Sequence, residues 1–261
     1  MRSLSIAATG MLAQQLNVEV ISNNIANMNT TAFKRQRAEF QDLLYQNGRR
    51  VGAASSDQNT VVPSGVQIGL GVKTTAVYRI TEQGNLVTTG NTLDVALQGK
   101  GYFQVELPTG ETAYTRAGSF QLAGDGKLVT ADGFTVKGAG TIPKDAIDVT
   151  INQNGQILVK KAGASEITEV GKFELASFVN DAGLQAIGDN NFLKTAASGD
   201  PTTGNAGKSG FGTTLQGFLE TSNVNTVQEV TNLITAQRAY EMNSKVIAAS
   251  DEMLGTLNNM R

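Results

Sequence analysis

Residues 215–261 read LQGFLETSNVNTVQEVTNLITAQRAYEMNSKVIAASDEMLGTLNNMR. Leu233, Tyr240, Ile247 and Leu254 recur every seven residues, with Ala236 and Leu257 on the same stripe. That spacing is the apolar seam of a coiled-coil-like helix. Ser222 or Asn223 suits the N-cap, and a helix from Asn225 to Asn258 would be roughly 50 Å long at about 1.5 Å per residue. The other end of the chain has the same character. Leu4, Ala8, Met11, Val18, Ile21 and Ile25 recur at three- and four-residue steps, with Gln15 as a polar interruption. Two such helices are out of scale with a β domain of this size. Gln15, Gln237, Asn243 and Ser244 on or beside the stripes make weak seams for an isolated pair. Packing with neighbouring copies is therefore expected, and an ordinary intramolecular pair is the plainer alternative.

The middle of the chain contrasts with both ends. Of 29 glycines, 27 lie between residues 48 and 217, as do all four prolines. Gly and Pro break helices and populate turns, so this part is expected to be turn-rich. Residues 48–71 (GRRVGAASSDQNTVVPSGVQIGLG) are polar, rich in small side chains and without a sustained period, as in a linker or long extended loop. From about Lys73 to Phe218 short apolar alternations such as Tyr102–Val105 and Phe173–Val179 stand between turn residues, and Asn154-Gly155 is the strongest signal for a type I′ hairpin. The expected fold is α+β: long N- and C-terminal helices as a coiled-coil-like pair, and a central all-β domain of antiparallel strands. The expected divisions are 1–46 helical, 47–72 extended linker, 73–219 central β domain and 220–261 C-terminal helix.

Composition narrows the chemistry. Twenty-one basic against 23 acidic residues give a net charge of −2, which argues against a nucleic-acid binder with a basic face. With no Cys and no His, disulfides, thiolate nucleophiles and the commonest general base and metal ligand are excluded. No catalytic residue, cofactor or metal site is expected. No run of roughly 18 apolar residues supports a spanning helix, and the first twenty residues lack the apolar core of a cleaved signal. Gly204-Asn205-Ala206-Gly207-Lys208-Ser209 resembles the end of a phosphate loop, but Thr202 stands where the first glycine belongs.

Read in order, these segments resemble the rod–hook family of bacterial flagellar axial proteins. The N-terminal signature is Ser22-Asn23-Asn24-Ile25-Ala26-Asn27-Met28-Asn29-Thr30-Thr31-Ala32-Phe33-Lys34-Arg35. The family usually has Gly where Ala32 stands, so a positive φ there would strain this chain. Leu93–Val105 (LDVALQGKGYFQV), Tyr114–Val136 (YTRAGSFQLAGDGKLVTADGFTV) and the C-terminal block also match the family pattern. Length, AEFQDLLYQNGRR and SSDQNTVVPSGVQIGLGVKT are similar to its distal-rod branch rather than to the proximal-rod or hook branches.

The resemblance implies a structural subunit, not an enzyme, that polymerises with itself into a rigid hollow shaft transmitting torque and housing an export channel. Implied partners are the hook protein, proximal rod proteins, the surrounding L/P ring bushing and the flagellar export apparatus. No nucleic acid and no direct membrane insertion are implied. The implied location is the basal-body rod across the periplasm and outer-membrane region, reached without a cleaved signal. Assembly contacts are expected at Leu4, Met11, Val18 and Ile25, at the Asn27–Asn29–Thr30 turn, and at Leu233, Arg238, Tyr240, Glu241, Ile247 and Leu254. Ala53, Pro63 and Ser64 are expected in a stiffening segment. From another class, the rival reading is a secreted β domain that binds or hydrolyses polysaccharide.

Overall fold

The computed structural model describes residues 2–49, 64–161, 167–208 and 210–259. They divide into two units, one of residues 1–26, 36–78 and 225–261, the other of 27–35 and 79–224.

The first unit is built on two helices, α1 (Arg2–Ala26) and α2 (Thr226–Asn259). Neither contains proline, and Gly10 and Gly255 are their only glycines, so nothing interrupts them. The cap of α2 is Asn225, whose Oδ1 accepts the Gln228 N–H at 3.2 Å. Ser222 and Asn223 lie upstream of it. Asn223 is occupied elsewhere, accepting from Arg35 N–H at 2.7 Å and donating to the carbonyls of Ile80 and Glu82. The helices run antiparallel, since Asn24 meets Glu229 while Gly10 faces Asn243.

The rest of this unit is a two-stranded ribbon. β1 (Gln36–Asp42), β2 (Tyr45–Arg49), β3 (Val66–Gly69) and β4 (Val72–Arg79) pair β1 with β4 and β2 with β3. Leu43 N–H to Gly71 O (2.8 Å) and Leu70 N–H to Leu44 O (3.2 Å) join the two ladders end to end. The described part of the expected 47–72 linker is therefore largely strand. Its composition hid this because neither face of the ribbon is buried, and the hydrophobic alternation of a half-buried strand is absent. The ribbon is fixed to α1 at Thr9, whose Oγ1 accepts the Val72 N–H. Gly71 beside it has φ 121°, and a Cβ there would lie 2.2 Å from Thr9 Oγ1.

The second unit is antiparallel β. Its described strands are β5 (Leu86–Thr88), β6 (Val95–Gln98), β7 (Tyr102–Glu106), β8 (Thr112–Thr115), β9 (Gln121–Leu122), β10 (Leu128–Val129), β11 (Thr135–Val136), β12 (Ala146–Ile151), β13 (Gln156–Lys161), β14 (Ile167–Lys172), β15 (Glu174–Ser177), β16 (Gln185–Gly188), β17 (Asn191–Leu193), β18 (Thr202–Asn205), β19 (Thr213–Gln216) and β20 (Phe218–Glu220). The largest sheet runs β16-β17-β8-β7-β11-β10-β9, with β15 also paired to β7 and β18. Phe103, Phe120 and Phe173 form an aromatic trio with centroids 5.1–5.8 Å apart. Around it pack Leu97, Val105, Leu128, Ile157, Val159 and Leu175.

The turns correct one expectation. At Asn154-Gly155 only Gly155 has positive φ (77°), and its N–H bonds Asn152 O. That is the three-residue loop with glycine in the left-handed region, not the two-residue type I′ turn. Asp125-Gly126 and Asp132-Gly133 close turns of the same kind. The residues that sit as a type I′ pair are Asp189 (φ 51°) and Asn190 (φ 58°), between β16 and β17. Asp and Asn tolerate this region, so the turn forms there without glycine at either central position.

Candidate assembly surface

The signature after α1 first sets how the chain leaves the helix. Asn24 is fully buried, and its amide forms a two-way clamp, donating to Gln36 O and accepting from Gln36 N–H, both at 2.8 Å. The same Nδ2 donates to Glu229 of α2 at 3.2 Å. Sequence reading passed over Asn24, whose position on the apolar stripe was the available signal. Asn27 and Thr30 do meet: Thr30 donates through both N–H and Oγ1 to Asn27. Asn29 is exposed. Ala32 has φ 56°, buried, with its N–H on Glu220 O at 2.8 Å.

Two residues on, Lys34 enters a buried ionic cluster in the second unit. Its ammonium bonds Glu220 Oε1 and donates to Glu82 O at 2.8 Å, while Arg116 Nε donates to Glu220 Oε2 at 2.9 Å. Arg116 also donates to the carbonyls of Leu97, Gly99 and Gly101, and Gly84 N–H donates to Glu220. Burial pushes the Glu220 carboxyl up, but the charges of Arg116 and Lys34 outweigh it and hold it below the ordinary carboxylate value. Burial dominates at Lys34, whose ammonium is lowered despite Glu220. A cluster so satisfied is a structural knot, with no free group poised for chemistry.

On the helices, the most buried positions of α1 are Ala7, Ala13, Val20, Ile21 and Asn24, and those of α2 are Glu229, Ala236 and Ser250. On α2 the buried line is thus held by small and polar residues with the large side chains at its flanks, whereas on α1 Val20 and Ile21 share it with Ala7, Ala13 and Asn24. Leu233, Ile247 and Leu254 are half-buried on the stripe of Glu229, Ala236 and Ser250, and Tyr240 on that stripe is 43% exposed. Leu4, Met11, Val18 and Ile25 are half-buried. Arg238 and Glu241 are exposed and carry no ion pair among the described residues.

The opposite side of α2 carries exposed apolar residues among polar ones such as Thr231, Arg238 and Lys245. Val227, Val230, Ile234, Met242, Val246 and Met253 are exposed, Val227 by 76% and Met242 by 62%. Successive members are three, four, seven or eight residues apart, so they fall on one side of the helix. α2 thus has apolar residues on two sides, one of them uncovered in this chain. The ribbon likewise exposes Leu44, Tyr45, Val66 and Ile68. Ser64 lies exposed near the start of β3; Ala53 and Pro63 fall outside the described residues. Among the described residues no helix is long and apolar enough to cross a membrane, and no group of acidic residues is arranged to hold a metal ion.

Three families match successive parts of the chain. "Flagella basal body rod protein" matches residues 4–34, "Flagellar hook protein FlgE/F/G D1 domain" residues 96–159, and "Flagellar basal body rod FlgEFG protein C-terminal" residues 215–260. Whole-length relatives agree. The chain is 58% identical to the flagellar basal-body rod protein FlgG of Caulobacter vibrioides, with all of both chains covered. It is 54% identical to that of Agrobacterium fabrum over 97% of each. To that of Bacillus subtilis it is 39% identical over 100% of this chain and 99% of the relative. These are structural proteins, which removes the polysaccharide-hydrolase reading. The buried clamps at the end of α1, the two-striped α2 and the end-to-end matches converge: the chain belongs to the flagellar basal-body rod protein family.

Proposed function

We propose that the chain is the distal-rod subunit, polymerising into a rigid hollow shaft that transmits torque from motor to hook and surrounds an export channel. One observation carries this reading: α2 bears two apolar stripes and α1 covers only one. α1 and α2 would form the inner tube as a coiled-coil-like pair, with neighbouring copies burying what the pair leaves bare. A heterologous contact whose rotation does not close makes a helical filament, which is the geometry of a shaft. Hook and proximal rod subunits would cap its ends, the L/P rings would surround it, and the flagellar export apparatus would deliver the subunits. The shaft would span the periplasm and outer-membrane region.

Amide hydrogen exchange tests the reading. A helix pair with so thin a seam has low local stability, so α1 and α2 amides should exchange much faster than those of β7 and β15 in dilute protein. On polymerisation they should become strongly protected. Helices already as protected as the β unit in dilute protein would overturn assembly-coupled ordering.

Residues 48–71, which include the end of β2 and all of β3, are the part assigned to stiffening. A two-stranded ribbon is marginal alone, and its exposed apolar residues favour lodging against other copies. Deletion of residues 53–64 should leave a folded subunit and yield a more bendable polymer. Straight filaments of unchanged persistence length would sink the assignment.

A further inference from the structure

A groove of about 490 Å³ runs along one side of the helix pair, lined by Gln15, Val18 and Glu19 of α1 and Gln237, Tyr240 and Glu241 of α2. Its chemistry is specific. Val18 and the Tyr240 ring give it an apolar wall, and Glu19 and Glu241 place two carboxylates at it with no cation paired to either among the described residues. Among the described residues Glu19 accepts one hydrogen bond, from the Gln15 amide at 3.2 Å.

The uncovered stripe of α2 has the complementary pattern. Ile234, Arg238, Met242 and Val246 follow one another at four-residue steps along one face. Such spacing is how an amphipathic helix anchors in a groove. Arg238 sits in the middle with an apolar residue one turn to either side, and it too has no ion-pair partner among the described residues.

At about 100° per residue, Gln237 and Tyr240 lie roughly 100° and 160° around α2 from Arg238 at the centre of the stripe, all to the same side, and Glu241 stands at the edge between groove and stripe. A subunit therefore cannot fill its own groove with its own stripe. We propose that the groove receives the Ile234–Arg238–Met242 face of α2 from a second copy of this chain, Arg238 seating between Glu19 and Glu241. The proposal rests on the polymer reading above and names the two faces that meet. They are different faces, so the contact is heterologous and leaves one of each free at every step of growth. Closing a helix over the groove removes water from the charges, where the pairing counts for more than on an open surface.

The test uses the full-length chain and its critical concentration for polymerisation, read by sedimentation. Arg238→Glu and, separately, Glu19→Lys with Glu241→Lys should each raise that concentration by at least about tenfold, the scale of a lost desolvated charge pair. Combining all three substitutions in one chain should restore assembly towards wild type. A variant that merely misfolds would not be rescued by two further substitutions. Polymerisation of the Arg238 or Glu19/Glu241 variants at the wild-type concentration would overturn the proposal and leave the groove to another partner. A triple variant as defective as the singles would also overturn it. Wild-type protein that never polymerises would instead strike the polymer reading itself.

Discussion

The two units treat their apolar residues in opposite ways. In the β unit Phe103, Phe173, Ile157 and Leu175 have no exposed surface, and even its charged cluster of Lys34, Arg116 and Glu220 is sealed. In the helical unit the buried positions of α2 are Glu229, Ala236 and Ser250, while Val227, Met242 and Met253 stand in solvent. One unit seals an aromatic core, with Ile147, Ile167 and Val179 left exposed at its surface; the other buries Val20 and Ile21 of α1 but leaves the large apolar side chains of α2 half-buried or exposed. The difference predicts where mutations act: on the isolated subunit for the first unit, on assembly for the second.

The largest effect is expected at Glu220. Replacing it with Gln leaves two cations buried around a neutral amide, at a cost of about 3–5 kcal/mol of stability. An apolar swap of the whole cluster should not recover this, because Arg116 also satisfies the carbonyls of Leu97, Gly99 and Gly101. The pH dependence has a definite sign. The folded carboxyl titrates below its ordinary 4.5. Its contribution is therefore complete above that value and is lost as pH falls through the folded one. Melting temperature followed from pH 7 downwards should drop in acid for the wild type, and the Glu220→Gln protein should lack that share of the slope. Parallel slopes would show that Glu220 is not what the acid reaches.

Much of this was legible in the residues, and what was hidden has physical causes. Glycine and proline placement separated the helical ends from the turn-rich middle, because those residues act locally on the backbone. The seven-residue repeat located α2, because periodicity is a property of one helix. The knot between Lys34 and Glu220 spans 186 residues, and no local pattern encodes a partner at that distance. Asn24 was passed over within the N-terminal signature, yet its amide replaces a backbone rung to Gln36. The ribbon was missed because both its faces are exposed. On α2 the heptad found the covered seam, while the second, bare stripe emerged only from the exposure of each residue.

A smaller effect separates the two stripes of α2. Ala236→Leu puts three extra heavy atoms where the side chain is 2% exposed, and overpacking of this kind costs about 1–3 kcal/mol. In a thin seam that suffices to unfold the pair, so helical circular dichroism of dilute protein should fall. Met242→Ser, on the bare stripe, should leave that signal unchanged and weaken polymerisation. Equal loss of helix in both variants would mean that the bare stripe is already covered within one subunit.

The smallest effect is expected at Ala32, where several terms nearly cancel. A non-glycine residue at φ 56° carries roughly 1–2 kcal/mol of strain. Ala32→Gly relieves it but gives up a buried methyl worth about 0.8 kcal/mol, and the freer unfolded chain costs about 0.4–1 kcal/mol more. The sum lies within about 0.8 kcal/mol of zero, so the melting temperature should move by no more than about 3 °C. This near-balance explains how alanine holds a position at which the family usually has glycine. Valine would test it from the other side: a branched Cβ is a genuine outlier at positive φ, and no methyl-sized gain offsets the added strain. Ala32→Val should lower the melting temperature by several degrees and loosen the Ala32 N–H bond to Glu220 O, visible as faster exchange of that amide. A valine variant as stable as the parent would mean that the turn after α1 can move away from positive φ, and that Glu220 alone holds the segment in place.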